Sequence, residues 1–474
     1  MKRWRWLTWT AIAIIVAGCI PKRYEWSPDG KWMTVLSNDG LRIADARGNL
    51  LPGVAQGVGI ATWFGDSKRL LVARKELETT WNALLPYLSA EEIKSITDAG
   101  KHAREALMTY DWTAPNAGTW ENFTDVFKRR EKQAKLDTHI DDAFSLAIGL
   151  YVRDHADEAV KRKIPPPRWK DLADLVQPVV FVQIYDVNAS GPAAGPTLMT
   201  TLNDVRELRV SPTGHAALVV TAGRNDHVCN LYAISTEAKH APLPISDATA
   251  WYPDWTPDGR GVVFTRAITP DMQNEDMQLG SLSRVDVMDD HGNLVEQIKE
   301  TKDLVGLLYS SLTRVRCLKD GRIIFATAGV TLPATSGDMP AHSELFVIDP
   351  GKQQTVSRLL SADVLRSAGN SMQYFEVSPD ETRISIPDNS GKVTVVDLAK
   401  GTISQVQDKP VTGGLMTVPA WRIGDELTLI APAADGHPSV VAWSASTGVT
   451  RTLSNGWPSG LVDDKATSKP STAP

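Results

Sequence analysis

The sequence predicts an all-β chain, a seven-bladed β-propeller with a helical insertion in its second blade, and three observations point to it. A short turn, Trp26-Ser27-Pro28-Asp29-Gly30, returns in variants along the 474 residues. Each copy lies between runs of β-forming residues, and a single stretch breaks the spacing with helical periodicity. The further copies are Trp63-Phe64-Gly65-Asp66, Val210-Ser211-Pro212-Thr213-Gly214, Trp255-Thr256-Pro257-Asp258-Gly259, Cys317-Leu318-Lys319-Asp320-Gly321, Val377-Ser378-Pro379-Asp380 and Trp421-Arg422-Ile423-Gly424-Asp425. Successive anchors are 37, 147, 45, 62, 60 and 44 residues apart.

In the turn, Pro presets φ, Asp bonds its own backbone and Gly accepts positive φ, so the chain reverses at little strain. The alternating runs that follow, such as Trp32-Met33-Thr34-Val35-Leu36 and Gly261-Val262-Val263-Phe264-Thr265, read as second strands. Third strands come next: Leu41 to Asp45, Leu231 to Ile234, Leu345 to Asp349, Val393 to Asp397 and Val440 to Trp443. With a short outer strand such as Val449 to Leu453, each repeat makes a four-stranded sheet that cannot bury both faces alone, and radial stacking solves that. A β-sandwich with look-alike turns is the competing arrangement. The constant phase between turn and third strand favours a propeller over residues 24–455.

The insertion is expected over 75–178. Ser89-Ala90-Glu91-Glu92 fits a capping box; Ile93, Ile96, Ala103 and Leu107 form one stripe; and Ile140, Phe144, Ala147, Ile148 and Tyr151 form a second. It interrupts the step from a second to a third strand, which in an up-and-down blade emerges opposite the repeat turns. The long connections Ala267 to Ser281 and Gly329 to Ser343 emerge there too, so one face is elaborated.

At the amino terminus, Lys2, Arg3 and Arg5 precede an apolar run from Trp6 to Ala17 and then Val16-Ala17-Gly18-Cys19. The run is short for a hydrocarbon span and reads as a lipoprotein signal peptide over 1–18, with 19–23 as tether. The small residues before Cys19 match the bacterial lipobox, a resemblance that implies acyl chains such as palmitate on Cys19. Ile20 in the next position implies sorting to the outer membrane in a Gram-negative envelope. An uncleaved anchor or an ordinary signal would still export the domain.

The Trp-Ser-Pro-Asp-Gly repeat and its trailing apolar-Asp strand resemble the PD40, or WD40-like, repeat of TolB-type propeller proteins of the bacterial envelope, from Tyr24 to Leu453. TolB proteins carry an α/β domain before the propeller, and here the first repeat follows the leader at once. Serine oligopeptidases with similar propellers append a hydrolase domain, for which nothing after Leu453 provides.

Formal charge is −6, and loss of Lys2, Arg3 and Arg5 brings it to about −9. That balance disfavours nucleic acid. Cys229 and Cys317 fall in non-neighbouring blades, so no disulfide is expected. Catalytic residues are not identified: Gly-x-Ser-x-Gly is missing, His102, His139 and His155 form no metal-binding pair, and Asp286, Asp289, Asp290 and Asn293 lack calcium-loop spacing. No cofactor or metal is expected. One residue before each anchor stand Glu25, Thr62, Arg209, Asp254, Arg316, Glu376 and Ala420. Pleat alternation turns these toward the central channel, and Arg209, Asp254, Arg316 and Glu376, with alternating signs, predict a charge-paired ring; ordinary inter-blade ion pairing is the plainer alternative. The polar tail over 461–474 reads as disordered. Together these features lead us to expect a lipid-anchored cell-envelope module that binds protein partners, with an enzyme acting on a small substrate at the channel mouth as alternative and glycan binding as a third reading.

Overall fold

The computed structural model describes residues 22–37, 39–112, 142–225, 228–237, 240–268, 278–327, 330–331, 344–351, 355–360, 374–387, 392–407, 418–432 and 438–455. Cys19, His139, Ile140, the leader and the 461–474 tail lie outside them.

Six of the seven repeat turns close a hairpin by the same kind of backbone hydrogen-bond pair. The Ser27 amide donates to the Trp32 carbonyl and the Gly30 amide to the Ser27 carbonyl, both at 2.8 Å. The Ser27 hydroxyl donates to Asp29 Oδ1 at 2.7 Å and accepts from the Trp32 amide. Thr256 with Asp258, and Ser378 with Asp380, repeat the pattern. Gly30 has φ +68, and where no glycine is present Ser67 and Glu381 take positive φ themselves, at a cost of roughly 1–2 kcal/mol each.

Four-stranded antiparallel meanders follow from these hairpins: 58–63, 69–78, 177–188 and 191–201; 315–317, 323–327, 344–349 and 355–358; 376–377, 383–387, 393–397 and 403–407; 420–422, 426–432, 438–444 and 450–455. The first sheet has three strands, 24–26, 32–37 and 40–45, and its outer edge is met only by bridges from Leu50 and Ala55. Two further meanders, 205–249 and 254–309, merge into one nine-stranded sheet. Thr249 pairs with Arg266 across the junction, and Val330-Thr331, from the long connection of the next repeat, adds to the outer edge at Leu307 and Gly306. Among the described residues no sheet closes on itself.

Side chains do most of the joining of one sheet to the next. Apolar clusters form between Leu41, Ile43 and Leu70, Val72; Leu71, Val182 and Leu208, Val219; Val220, Leu231 and Trp255, Phe264; Val263, Leu307 and Phe325, Ile348; Ile324, Leu345 and Phe375, Ile384; Val393, Val395 and Leu427, Trp443. One more joins Ile430 and Val440 of the last sheet to Trp26 and Met33 of the first. Each such side chain contributes roughly 1.5–3 kcal/mol by leaving water. The anchor tryptophans add polar bolts to the preceding sheet: Trp63 Nε1 donates to the Glu25 carbonyl at 3.0 Å, Trp255 to Arg209 at 3.0 Å and Trp421 to Glu376 at 3.2 Å. Trp26 donates to Thr428 Oγ1 at 2.9 Å, which ties the first sheet to the last.

The turns gather on one side. The Asp29 amide donates to Ser67 Oγ at 3.0 Å, the Lys319 amide to the Glu381 carboxylate at 3.1 Å, and Arg422 Nε to the Gly30 carbonyl at 2.8 Å.

On the other side, the described residues between Glu78 and Gln177 include five α-helices: α1 (Trp81–Leu84), α2 (Ala90–Thr109), α3 (Asp142–Asp154), α4 (Glu158–Lys163) and α5 (Pro166–Ala173). It leaves strand 69–78 at the end remote from the Phe64–Lys68 turn. The expected capping box opens α2: Ser89 Oγ accepts from the Glu92 amide, and the Glu92 carboxylate accepts from the Ser89 amide. Ile96, Ala103 and Leu107 pack against Ala147, Ile148 and Leu172, and Val179 and Phe181 root this cluster on the sheet. Strand pairing continues to Glu78 and resumes at Gln177, which trims the expected 75–178 range by a few residues at its start.

Candidate functional site

The charged residues of the innermost strands form the most concentrated polar site. Adjacent innermost strands run side by side, with Tyr252 and Arg314 in a parallel bridge and the Val315 amide donating to the Tyr252 carbonyl at 3.1 Å. Alternate residues of these strands therefore face one another across the centre.

Three of the four predicted ring members meet. Arg209 Nε lies 3.1 Å from Asp254 Oδ1, and Arg316 Nη1 donates to Asp254 Oδ2 at 3.3 Å. The same oxygen accepts the Cys317 amide at 2.9 Å. Asp254 thus links three innermost strands while almost wholly buried. Burial is the largest single influence and works against the Arg209 charge, but Asp254, Glu207 and Glu376 together outweigh it and raise the guanidinium pKa.

Glu376 does not pair with Arg316. It accepts from Arg314 Nη2 at 2.7 Å and from the Tyr374 hydroxyl at 2.6 Å. Arg314 is 2% exposed, and its guanidinium carbon lies 4.4 Å from the Tyr374 ring centre and 5.3 Å from that of Tyr252. Burial alone would raise the Glu376 pKa. Arg314 above all, with Lys22, Arg209 and the Tyr374 hydroxyl, holds it down at about 2. The two clusters feel each other, because Glu376 also stabilises the Arg209 charge.

Arg314, Tyr374, Tyr252 and Glu207 are functional neighbours that the sequence reading missed. Each stands two residues before a predicted ring member; Glu207 lies in the same strand as Arg209, and Tyr252, Arg314 and Tyr374 just before the strands of theirs. Applying the pleat period once more would have found them. Glu207 is buried near Lys22, Arg209 and Arg314, whose charges only partly offset the effect of burial, so its carboxyl pKa is raised.

At the rim of the ring, Glu25 accepts from Thr62 Oγ1 at 3.0 Å and pairs with Lys22 at 2.9 Å, and Ala420 is buried. A cleft of about 610 Å³ opens on the turn side, lined among others by Arg260, Arg284, Asp286, Lys299, Lys302 and Pro350. Asp289 there accepts the amides of His291 and Asn293 as an ordinary turn, and Asp290 pairs with Arg260 at 2.5 Å. His155 stacks on Tyr151, and His102 lies beside Glu105. Among the described residues no group of three or more His, Cys, Asp or Glu side chains gathers for a metal, and neither Cys229 nor Cys317 forms a disulfide. Chemically, the centre is a set of buried ion pairs beside aromatic rings, in which Arg209 Nε and Arg314 Nε make no hydrogen bond among the described residues.

No family model matches the chain, and neither does any curated protein. Similar solved structures include TolB from Acinetobacter baumannii, at 14% identity over 57% of this chain and 58% of that one, with a TM-score of 0.39. The propeller domain of the Trilobed protease from Pyrococcus furiosus is similar at 9% identity over 92% and 99%, with a TM-score of 0.45. A puromycin-hydrolyzing peptidase from Mycobacterium tuberculosis is similar at 13% identity over 61% and 44%, with a TM-score of 0.39. The chain spans 58% of the TolB chain and 44% of the peptidase chain. Its own sheets, intersheet clusters and tryptophan bolts make it an all-β protein of β-propeller type.

Proposed function

We propose that this chain is a seven-bladed propeller, tethered by an acylated Cys19 on the outer membrane and facing the periplasm, that acts as a binding module for envelope proteins. The meanders supply the blades, with the nine-stranded sheet counted as two. The 79–176 segment is then an insertion in the second blade. The single observation that supports a binding module over an enzyme is the state of the centre. Arg209, Asp254, Arg316, Arg314 and Glu376 are spent on one another, and a group locked in a buried ion pair is a poor proton carrier near neutral pH. Recognition then falls to the surfaces, where rigid sheets hold helices and connections in place.

The test is cross-linking of the full acylated protein in cells, with photoreactive residues on both sides of the disc. Capture of a discrete envelope protein is expected. Turnover of a screened hydrolase or lyase substrate, abolished by Glu376→Gln, would replace this reading with the enzyme.

A further inference from the structure

The first hairpin fixes where the tether leaves the disc. Leu36 donates to the Arg23 carbonyl at 2.8 Å, at the end of that hairpin opposite the Ser27–Gly30 turn. Lys22 reaches Glu25 at 2.9 Å, and its charge is felt by the carboxylates of Glu207 and Glu376. The chain therefore exits from the centre of the disc, on the side from which Glu78 leads into the helices.

Reach then limits orientation. From Cys19 to Lys22 the chain spans at most roughly 11 Å fully extended. A helix is itself about 10–12 Å thick, and a domain of this length has a radius of gyration of roughly 22 Å. A disc held at its centre by so short a tether cannot turn its helix-bearing side away from the surface that anchors it.

The apolar side chains of that side agree. Leu77, Met108, Val176, Ile268 and Leu279 stand exposed at strand ends or helix ends there, against Leu50, Ile423 and Val449 on the turn side. Residues 79–176 hold sixteen carboxylates against fourteen Lys and Arg, and Lys161 pairs with Glu158 and Arg168 with Asp171, so contact with a lipid surface there is apolar rather than electrostatic.

We infer that the partner of the helix-bearing face is the bilayer surface itself, so that the disc lies on it and presents its turns and the 610 Å³ cleft away from the membrane. The inference rests on the acylated Cys19 of the proposed function. Envelope proteins would then meet the turn side.

To test it, the full acylated chain is reconstituted in vesicles of phosphatidylglycerol and phosphatidylethanolamine that carry a headgroup-attached fluorescence quencher. Single dyes are placed at Lys94→Cys or Glu158→Cys on the helices and at Lys31→Cys or Lys400→Cys on the turn side, all highly exposed positions. The parent chain reports any labelling of Cys229 and Cys317. Quenching at the helix positions is expected to exceed that at the turn positions at least threefold, in phosphatidylcholine vesicles as well. Equal or reversed quenching overturns the orientation. Helix-side dyes that stay unquenched while the same positions cross-link to an envelope protein in cells give that face to a protein instead. The mass of the Cys19 peptide from the same sample separates failures: an unacylated Cys19 removes the tether and this inference with it, whereas an acylated Cys19 without the orientation removes the inference alone.

Discussion

Replacing Arg314 by Met should be among the costliest single changes in this protein, and its cost should depend on pH in a defined direction. Arg314 is the main charge partner of Glu376, at 2.7 Å, and both belong to the buried centre. The Glu376 carboxyl is held at about 2 against an ordinary 4.5, which corresponds to roughly 3 kcal/mol of folded-state stability at neutral pH. Because the folded value lies below the unfolded one, that stability is complete above pH 4.5 and is lost as pH falls through about 2. Met keeps the volume but leaves a buried carboxylate facing desolvation, for a total loss of roughly 3–5 kcal/mol at pH 7. Over 474 residues this lowers the melting temperature by about 3–5 °C. As pH drops toward 3, Glu376 in the variant takes a proton and the gap to the parent narrows. The double change Arg314→Met/Glu376→Gln buries no lone charge and should recover at least half of the loss. Thermal unfolding at fixed scan rate, followed by tryptophan fluorescence at pH 7, 5 and 3.5, reads the parent, both single variants and the double. A shift under 1 °C for Arg314→Met, a gap that widens on acidification, or a double variant as unstable as the sum of the singles would refute the reasoning.

Other expectations concern the seam, the glycines, the insertion and the unpaired acid. Trp26→Phe removes the indole donor to Thr428 at 2.9 Å, and a double-mutant cycle with Thr428→Val should return a coupling of about 1 kcal/mol in thermal unfolding. Gly48 has φ +90 and an added Cβ would sit 2.3 Å from the Leu453 carbonyl of the last sheet. Gly48→Ala should therefore cost several-fold more than Gly401→Ala, which has φ +65 and open space and should cost roughly 1–2 kcal/mol; equal losses of melting temperature would remove the seam contact from the account. Gly100→Ala gains about 1 kcal/mol of helix propensity but puts a Cβ 2.2 Å from Tyr151 Cδ1, so hydrogen exchange in α2 and α3 should accelerate rather than slow. Glu207→Gln should raise the melting temperature at pH 7, because burial raises that carboxyl pKa and its charged form opposes folding; below pH 4 both forms are neutral and the gain should vanish.

The repeat turn was legible because its wiring is local: Ser27, Asp29 and Gly30 satisfy one another within five residues, and sequence alone contains all the partners. The capping box of α2 was legible for the same reason. Partners chosen by the stacking of sheets were not. Sequence spacing placed Arg209, Asp254, Arg316 and Glu376 on inner strands with alternating signs, but neighbouring strands are offset, so Glu376 meets Arg314 rather than Arg316. The identity of the anchor was legible as tryptophan without its purpose. Its indole reaches back to a carbonyl of the preceding sheet, which no local pattern encodes. Likewise, the pairing of Val330-Thr331 with the sheet before it depends on a long connection turning back.

The seam between the last sheet and the first explains why this centre is so heavily charged. Trp26, Arg422 and the Met33–Ile430–Val440 cluster hold the ring at one place with side chains alone, since no strand from one end of the chain pairs into the sheet at the other among the described residues. Side-chain packing is less directional than a strand ladder, and a disc joined only that way can slip between registers. Buried ion pairs add little net stability but penalise every arrangement in which they fail to meet. Asp254, held by Arg209, Arg316 and the Cys317 amide, and Glu376, held by Arg314 and Tyr374, make such arrangements costly at the axis, where all inner strands converge. On this view the central charges fix the register of the ring, and loss of Arg314 should loosen the Trp26 seam as well: hydrogen exchange of strands 24–26 and 426–432 should rise in Arg314→Met although neither strand touches the substituted side chain. Protection there equal to that of the parent would confine the role of the pair to its own two strands.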